Sequence, residues 1–115
     1  MRFVGVINQF GHVVAGGFRN DVLSYVNNGR ELMMYMRIVL DMNMRKDFDD
    51  ALDHVNYLHS QRDKVSMISI PMGKHIVVPT TETDVDVPKT VSRAKNEFLD
   101  LKIIAANLKP IAEIL

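Results

Sequence analysis

The apolar positions of this chain follow two periods, and the switches between them outline its elements. Phe3, Val4, Val6 and Ile7 form a nearly continuous apolar run, as expected of a strand covered on both faces. Asn8-Gln9-Phe10-Gly11 then predicts a turn, with Asn bonding its own backbone two residues on and Gly supplying a positive φ at the close. Val13, Val14 and Ala15 return along the hairpin. Gly16-Gly17 either ends that strand or lets another backbone approach closely. The next stretch, Asp21 to Val26, reads as a helical turn or two stopped by Asn27-Asn28-Gly29.

From Glu31 to Asp53 the period becomes helical. Leu32, Tyr35, Met36, Val39 and Met42 recur at i, i+3/i+4 spacing and predict the stripe that faces the sheet. Met33, Leu40, Met44 and Ala51 fall on its flank, while Met34, Ile38 and Leu52 fall nearly opposite. The first half of this helix is therefore apolar almost all round, more than one layer of contact would bury. The second half is polar, with Arg45, Lys46, Asp47, Asp49, Asp50 and Asp53.

Strand patterns resume after it. Val55, Tyr57 and His59 alternate with Asn56, Leu58 and Ser60, which suits an edge strand. Arg62-Asp63-Lys64 is a charged turn, Val65 to Ile70 a more interior strand, Gly73 marks the next turn, and Ile76-Val77-Val78 is a buried run ended by Pro79. After a polar loop, Asp86 and Pro88 have the character of a helix start. The last helix, Lys89 to Asn107, carries Val91, Ala94, Phe98, Leu101 and Ala105 at helical spacing, with the stems of Lys95 and Lys102. Pro110 breaks it, leaving Ile111–Leu115 as an apolar tail.

The order is β-β-α-β-β-β-α, an α+β domain over 1–115 with its core in 1–109 and a short tail at 110–115. The two fully apolar strands, Phe3–Ile7 and Ile76–Val78, both require central places. Pairing them gives a five-stranded antiparallel sheet of order 2-1-5-4-3, flanked by helices.

Composition narrows the function. With 14 basic and 14 acidic residues the formal charge is zero, which removes the electrostatic case for nucleic acid or an anionic membrane. The absence of cysteine excludes a disulfide framework, a thiol nucleophile and a thiolate metal site, and suits a reducing cytoplasm. The N-terminus lacks the apolar run and cleavage site of a signal peptide, and no stretch has the ~18 apolar residues of a membrane span.

Candidate chemistry adds little. His12, His54, His59 and His75 share no i, i+2 strand or i, i+4 helix spacing of the kind that converges metal ligands, so they read as surface histidines. Asp47, Asp49, Asp50 and Asp53 lack the alternating oxygens, glycine and closing Glu of a calcium loop, and as the C-terminal half of a helix they would oppose its dipole. A solvated helix end is the simpler reading. There is no phosphate-binding glycine loop and no Gly-x-Ser-x-Gly elbow. No catalytic, metal-binding or cofactor-binding residue is predicted, and no cofactor.

The methionines are the unusual feature. Five of the eight lie between positions 33 and 44, and methionine suits adaptable binding surfaces as well as irregular cores. Met34, Ile38 and Met42, with Ile111, Ile114 and Leu115 of the tail, are the candidate interface.

Element order and wording together suggest relatives. The hairpin INQFGHVVAGG resembles the strand, D/N-x-x-G, strand opening of roadblock-type proteins, and DKVSMISIPMGKHIVVPTTETDVD resembles their third and fourth strands leading to the last helix. The fold this implies is the profilin-like group of roadblock and longin domains. Roadblock domains begin with an additional helix, so the order is closer to longin domains. The phrases GVINQFGHVVAGGF, MMYMRIVLDMNMRKDFDD and RDKVSMISIP are also similar to a small uncharacterised family of ammonia-oxidising archaea. What the resemblance implies is a dimerisation or scaffold module, often near small GTPases, with no residue role carried across.

The resulting expectation is a non-enzymatic, cytoplasmic interaction module that forms a homodimer, with a small GTPase or other regulatory protein as a further partner. Met34→Glu or Ile38→Glu would then give a folded monomer. The alternative is a sensor-like domain that holds a small apolar ligand between sheet and helix, walled by Met36, Leu40 and Met67.

Overall fold

A computed structural model describes residues 3–18 and 28–107. The elements run β1 (Phe3–Ile7), β2 (Val13–Phe18), α1 (Asn28–Lys46), α2 (Asp49–Leu52), β3 (Leu58–Gln61), β4 (Ser66–Met72), β5 (His75–Thr81) and α3 (Val87–Asn107). The five strands form one antiparallel sheet in the order β2-β1-β5-β4-β3, as the two apolar runs demanded.

Period-two alternation sends neighbouring residues of each strand to opposite faces, and each face has its own core. Phe3 and Ile7 of β1 with Ile76 and Val78 of β5 meet Tyr35, Val39 and Met42 of α1. On the other face, Val6, Val77, Ile68 and Ile70 meet Val91, Ala94 and Phe98 of α3. The sheet is thus the middle of three layers.

The β1–β2 turn is built as its sequence implies. The Asn8 side-chain oxygen accepts from the backbone N–H of Phe10 at 2.9 Å and of His12 at 3.1 Å, and Gly11 closes the turn at φ 80°. Gly11 has a second duty, because a Cβ there would lie 2.8 Å from Met36 Cγ and 2.9 Å from the Met36 backbone nitrogen. The turn therefore rests directly on α1. Gly16 also resolves as a site of close approach: at φ 90° it pairs with Gly5, and a Cβ would run into the Val4 carbonyl. β2 continues past it to Phe18 instead of ending there.

The predicted start of α3 holds. Asp86 Oδ1 accepts from the Lys89 N–H at 3.1 Å and the Asp86 carbonyl accepts from the Thr90 hydroxyl at 2.9 Å, with Pro88 in the first turn.

Several boundaries differ from the sequence reading. Asn28 and Gly29, expected in a stop, lie in α1. The predicted segment at 21–26 lies outside the described residues. The long helix is not continuous to Asp53. It ends at Lys46, where the Asp47 and Phe48 N–H groups donate to the carbonyls three residues back, and a four-residue helix follows. The charges fit this division, with Arg45 and Lys46 in the last turn of α1 and Asp49 and Asp50 in the first turn of α2, each at the end its helix dipole favours. Asp49 and Asp50 therefore do not oppose a dipole.

β3 begins at Leu58, so Val55 to Tyr57 precede the strand. Pro79 does not end β5. It sits opposite Val4 in a central strand, where the β4–β5 ladder lapses between the Met67–Thr80 and Ile70–Val77 pairs and an N–H is not needed.

Two substitutions test the local geometry. Asp53 holds φ 62°, ψ −178°, a region only glycine adopts readily, so Asp53→Gly should raise the urea midpoint by the equivalent of about 1 kcal/mol. Gly11→Ala should lower it by about 1–3 kcal/mol, through both the positive φ and the collision with Met36.

Candidate interaction surface

α1 is the element on which any surface here depends, and its rotation decides what it shows. Tyr35, Val39 and Met42 point into the core at 4%, 7% and 1% exposure. Leu32 and Met36, expected in the sheet-facing stripe, have rolled out to 41% and 42%. Met34 and Ile38, expected on the far side, are half-buried against the core instead. In this rotation the Tyr35 ring stacks on Phe3, with centroids 6.0 Å apart and planes 18° from parallel, beside Val39 and Met42 in the same core. The Phe3 ring lies back over Gly5, where any Cβ would strike it, so this small residue is what lets the stack form.

Met42 is thus a core residue and cannot serve as interface within the folded chain. Met34→Glu and Ile38→Glu would place a charge against the core and so do not isolate association from stability. Ile111, Ile114 and Leu115 lie outside the described residues.

The turned helix leaves two distinct surfaces. The first is an apolar ridge on the outside of α1, Leu32, Met33, Met36, Leu40 and Met44, of which Met33 also borders the groove and Met44 shares a hollow with Phe48 and Leu52, 62% and 77% exposed. Phe10, 60% exposed on the turn that abuts Met36, lies at its border. The second is an open groove of about 960 Å³ between α1 and the β3–β4 end of the sheet. Met34, Ile38, Leu58, Val65 and Met67 give it apolar walls, and Arg30, Arg37, Arg45, Arg62 and Lys64 surround them with Glu31, Asp41 and Asp63. Arg45 and Asp41 pair across one turn at 3.0 Å. Of the three residues expected to wall a ligand pocket, Met67 lines this groove while Met36 and Leu40 stand on the outer ridge.

The histidines do not converge. His59 Nε2 lies 3.2 Å from Ser66 Oγ, His54 Nδ1 lies 3.1 Å from Asp49 Oδ2, and the His75 ring packs against Phe98. No group of three or more His, Asp or Glu side chains among the described residues is arranged to hold a metal ion. Asp49 Oδ1 is buried without a hydrogen-bond partner, facing no second ligand.

Tyr35, at the inner wall of the groove, is the titratable group whose environment departs most clearly from water. Burial, with a smaller contribution from the Glu31 carboxylate, pushes its hydroxyl up from 10.0 to about 12.

With this geometry in hand, the chain can be set beside other proteins. The profile of a family of unknown function, DUF6659, matches residues 1–101. The chain belongs to that family. By sequence, none of the curated proteins matches it. Among solved structures, the gliding protein MglB from Thermus thermophilus superposes with a TM-score of 0.65 at 14% identity, covering 99% of this chain and 79% of that one. An MglB described as having a tetrameric arrangement gives 0.66 at 16% identity over the same shares. A roadblock/LC7 domain from Streptomyces avermitilis gives 0.57 at 6% identity, covering 84% and 83%. At these identities the likeness establishes the fold of this DUF6659 chain, which is roadblock-like. No helix among its described residues is long and apolar enough to cross a membrane.

Because the folded pKa of Tyr35 lies above its ordinary value, the stability it carries is fully present below pH 10 and is lost as pH rises toward 12. Unfolding free energy should fall by about 2 kcal/mol across that interval, and Tyr35→Phe should remove that part of the alkaline slope in urea melts.

Proposed function

We propose that this protein is a non-enzymatic, cytoplasmic interaction module that associates with a second copy of itself through the outer ridge of α1, within an archaeal regulatory assembly. The observation that carries this reading is the ridge. Side chains of this size offer roughly 150–200 Å² each, so at the observed exposures the seven residues from Leu32 to Leu52 present on the order of 700 Å² of apolar surface. Soluble monomers rarely expose that much in one patch, and it approaches the ~800 Å² per partner of a standard interface.

Methionine supports the same reading, since Met33, Met36 and Met44 can repack against a mating surface at little cost in strain. The roadblock-like fold agrees with a scaffold role, and the tetrameric arrangement of one MglB offers a precedent for self-assembly in this architecture. A small GTPase or other regulatory protein is the class of further partner that the roadblock likeness suggests. Cysteine-free composition fits a cytoplasmic setting.

Light scattering decides the point. The wild-type chain at micromolar concentration should have at least twice its 13.1 kDa monomer mass. Leu40→Glu, at a position 57% exposed, should give a folded monomer with an unfolding midpoint close to wild type. A wild-type monomer would sink the proposal, as would a Leu40→Glu variant of unchanged mass.

A further inference from the structure

The groove is a second surface, adjoining the ridge at Met33, and its dimensions and charges specify an occupant. Strands about 4.8 Å apart make a five-stranded sheet roughly 20 Å across, while a helix with its side chains is about 10 Å wide. α1 lies over β1 and β5, as its contacts with Phe3, Ile7, Ile76 and Val78 show. The lane above β4 and β3 on that face is therefore about one helix wide. Its floor on the sheet is mixed, with Leu58 and Met67 set opposite Ser69 and Ser60 across the β3–β4 pair, and the half-buried sides of Met34 and Ile38 give it an apolar wall.

The rim has a sign. Five Arg and Lys side chains line the groove against three Asp and Glu, in a chain whose 14 basic and 14 acidic residues cancel. The cations stand on both banks, Arg30, Arg37 and Arg45 along α1 and Arg62 and Lys64 at the β3–β4 turn. A segment lying in the lane with its apolar side down would have its two flanks against these banks.

We infer that the groove receives an amphipathic helix from another protein, apolar on one side and acidic along both flanks. Met34, Ile38, Leu58, Val65 and Met67 supply the burial and the banks select the charge, so that a basic helix of equal hydrophobicity is turned away. The lane is formed by α1, β3 and β4 and adjoins the ridge at Met33, which lines it, and at Asp41, Arg45 and Leu58, which also border Met44, Phe48 and Leu52; Leu40 lines neither hollow, so a substitution there tests the ridge apart from the lane.

The test uses the full chain and two labelled amphipathic peptides with the same Leu and Met face, one flanked by Glu and the other by Lys. Fluorescence anisotropy at low salt should show the Glu-flanked peptide binding at least tenfold tighter, with the gap narrowing at 0.5 M salt. Arg62→Glu combined with Lys64→Glu lies on an exposed turn, leaves the fold intact and should reverse the preference. Leu40→Glu, on the ridge, should leave it unchanged. Equal binding of the two peptides, binding of neither, or an unreversed preference in the double variant would overturn the inference. So would a change of oligomeric mass in the double variant, which would give the groove to a second copy. Sedimentation with phosphatidylserine vesicles in the absence of any peptide preference would give it to a lipid surface, and equally overturn it.

Discussion

The constraint behind this structure is that one helix cannot cover one face of a five-stranded sheet. α3 packs on the Val6, Val77, Ile68 and Ile70 face, and among the described residues α1 is the helix on the other. A helix about 10 Å wide on a sheet roughly 20 Å across must choose a side. α1 sits over the most apolar strands, β1 and β5, where Phe3, Ile7, Ile76 and Val78 give it the largest burial. The rest of the face stays open as the groove. Meanwhile the chain places apolar residues almost all round the same helix, so whatever side it rests on, another is left in water.

The side it rests on carries Tyr35, Val39 and Met42, with one stacked aromatic pair among their contacts. Phe3 and Tyr35 meet across the layer, and Gly5 makes room for the ring that reaches between them. The turn at Gly11 then presses on Met36 and holds the helix against rolling back. With the rotation set, Met42 is enclosed, Met34 and Ile38 become a groove wall, and Leu32, Met36 and Leu40 become a ridge. The burial that raises the Tyr35 pKa belongs to the same core, so the packing of α1 on the sheet also decides which of its residues line the groove and which stand on the ridge.

Much of the architecture was legible residue by residue. The runs at Phe3–Ile7 and Ile76–Val78 forced two central strands, and Asn8, Gly11 and Asp86 each carried a turn or cap whose hydrogen bonds form as their chemistry requires. The break at Lys46 was legible too, in two basic residues followed by a cluster of acids, but an apolar period carried across it masked that signal. The exposed face of α1 was harder to read. A helical wheel gives the angles between side chains but no absolute rotation, and on a helix apolar nearly all round many rotations bury a similar area. Met36 and Met42 are chemically alike, and their fates differ completely.

By itself, then, the sequence determined the strands, their order, the hairpin, the cap of the last helix and the excess of apolar surface on α1. Those features rest on local period, turn chemistry and the need to bury the two most apolar strands, all of which act over a few residues. Only the tertiary structure decided which way α1 turns, which methionines are core, and that the charges of the β3–β4 turn face those of α1 across a groove. These depend on a Phe3–Tyr35 contact spanning more than thirty residues and on side chains from separate elements meeting in space, where periodicity carries no information.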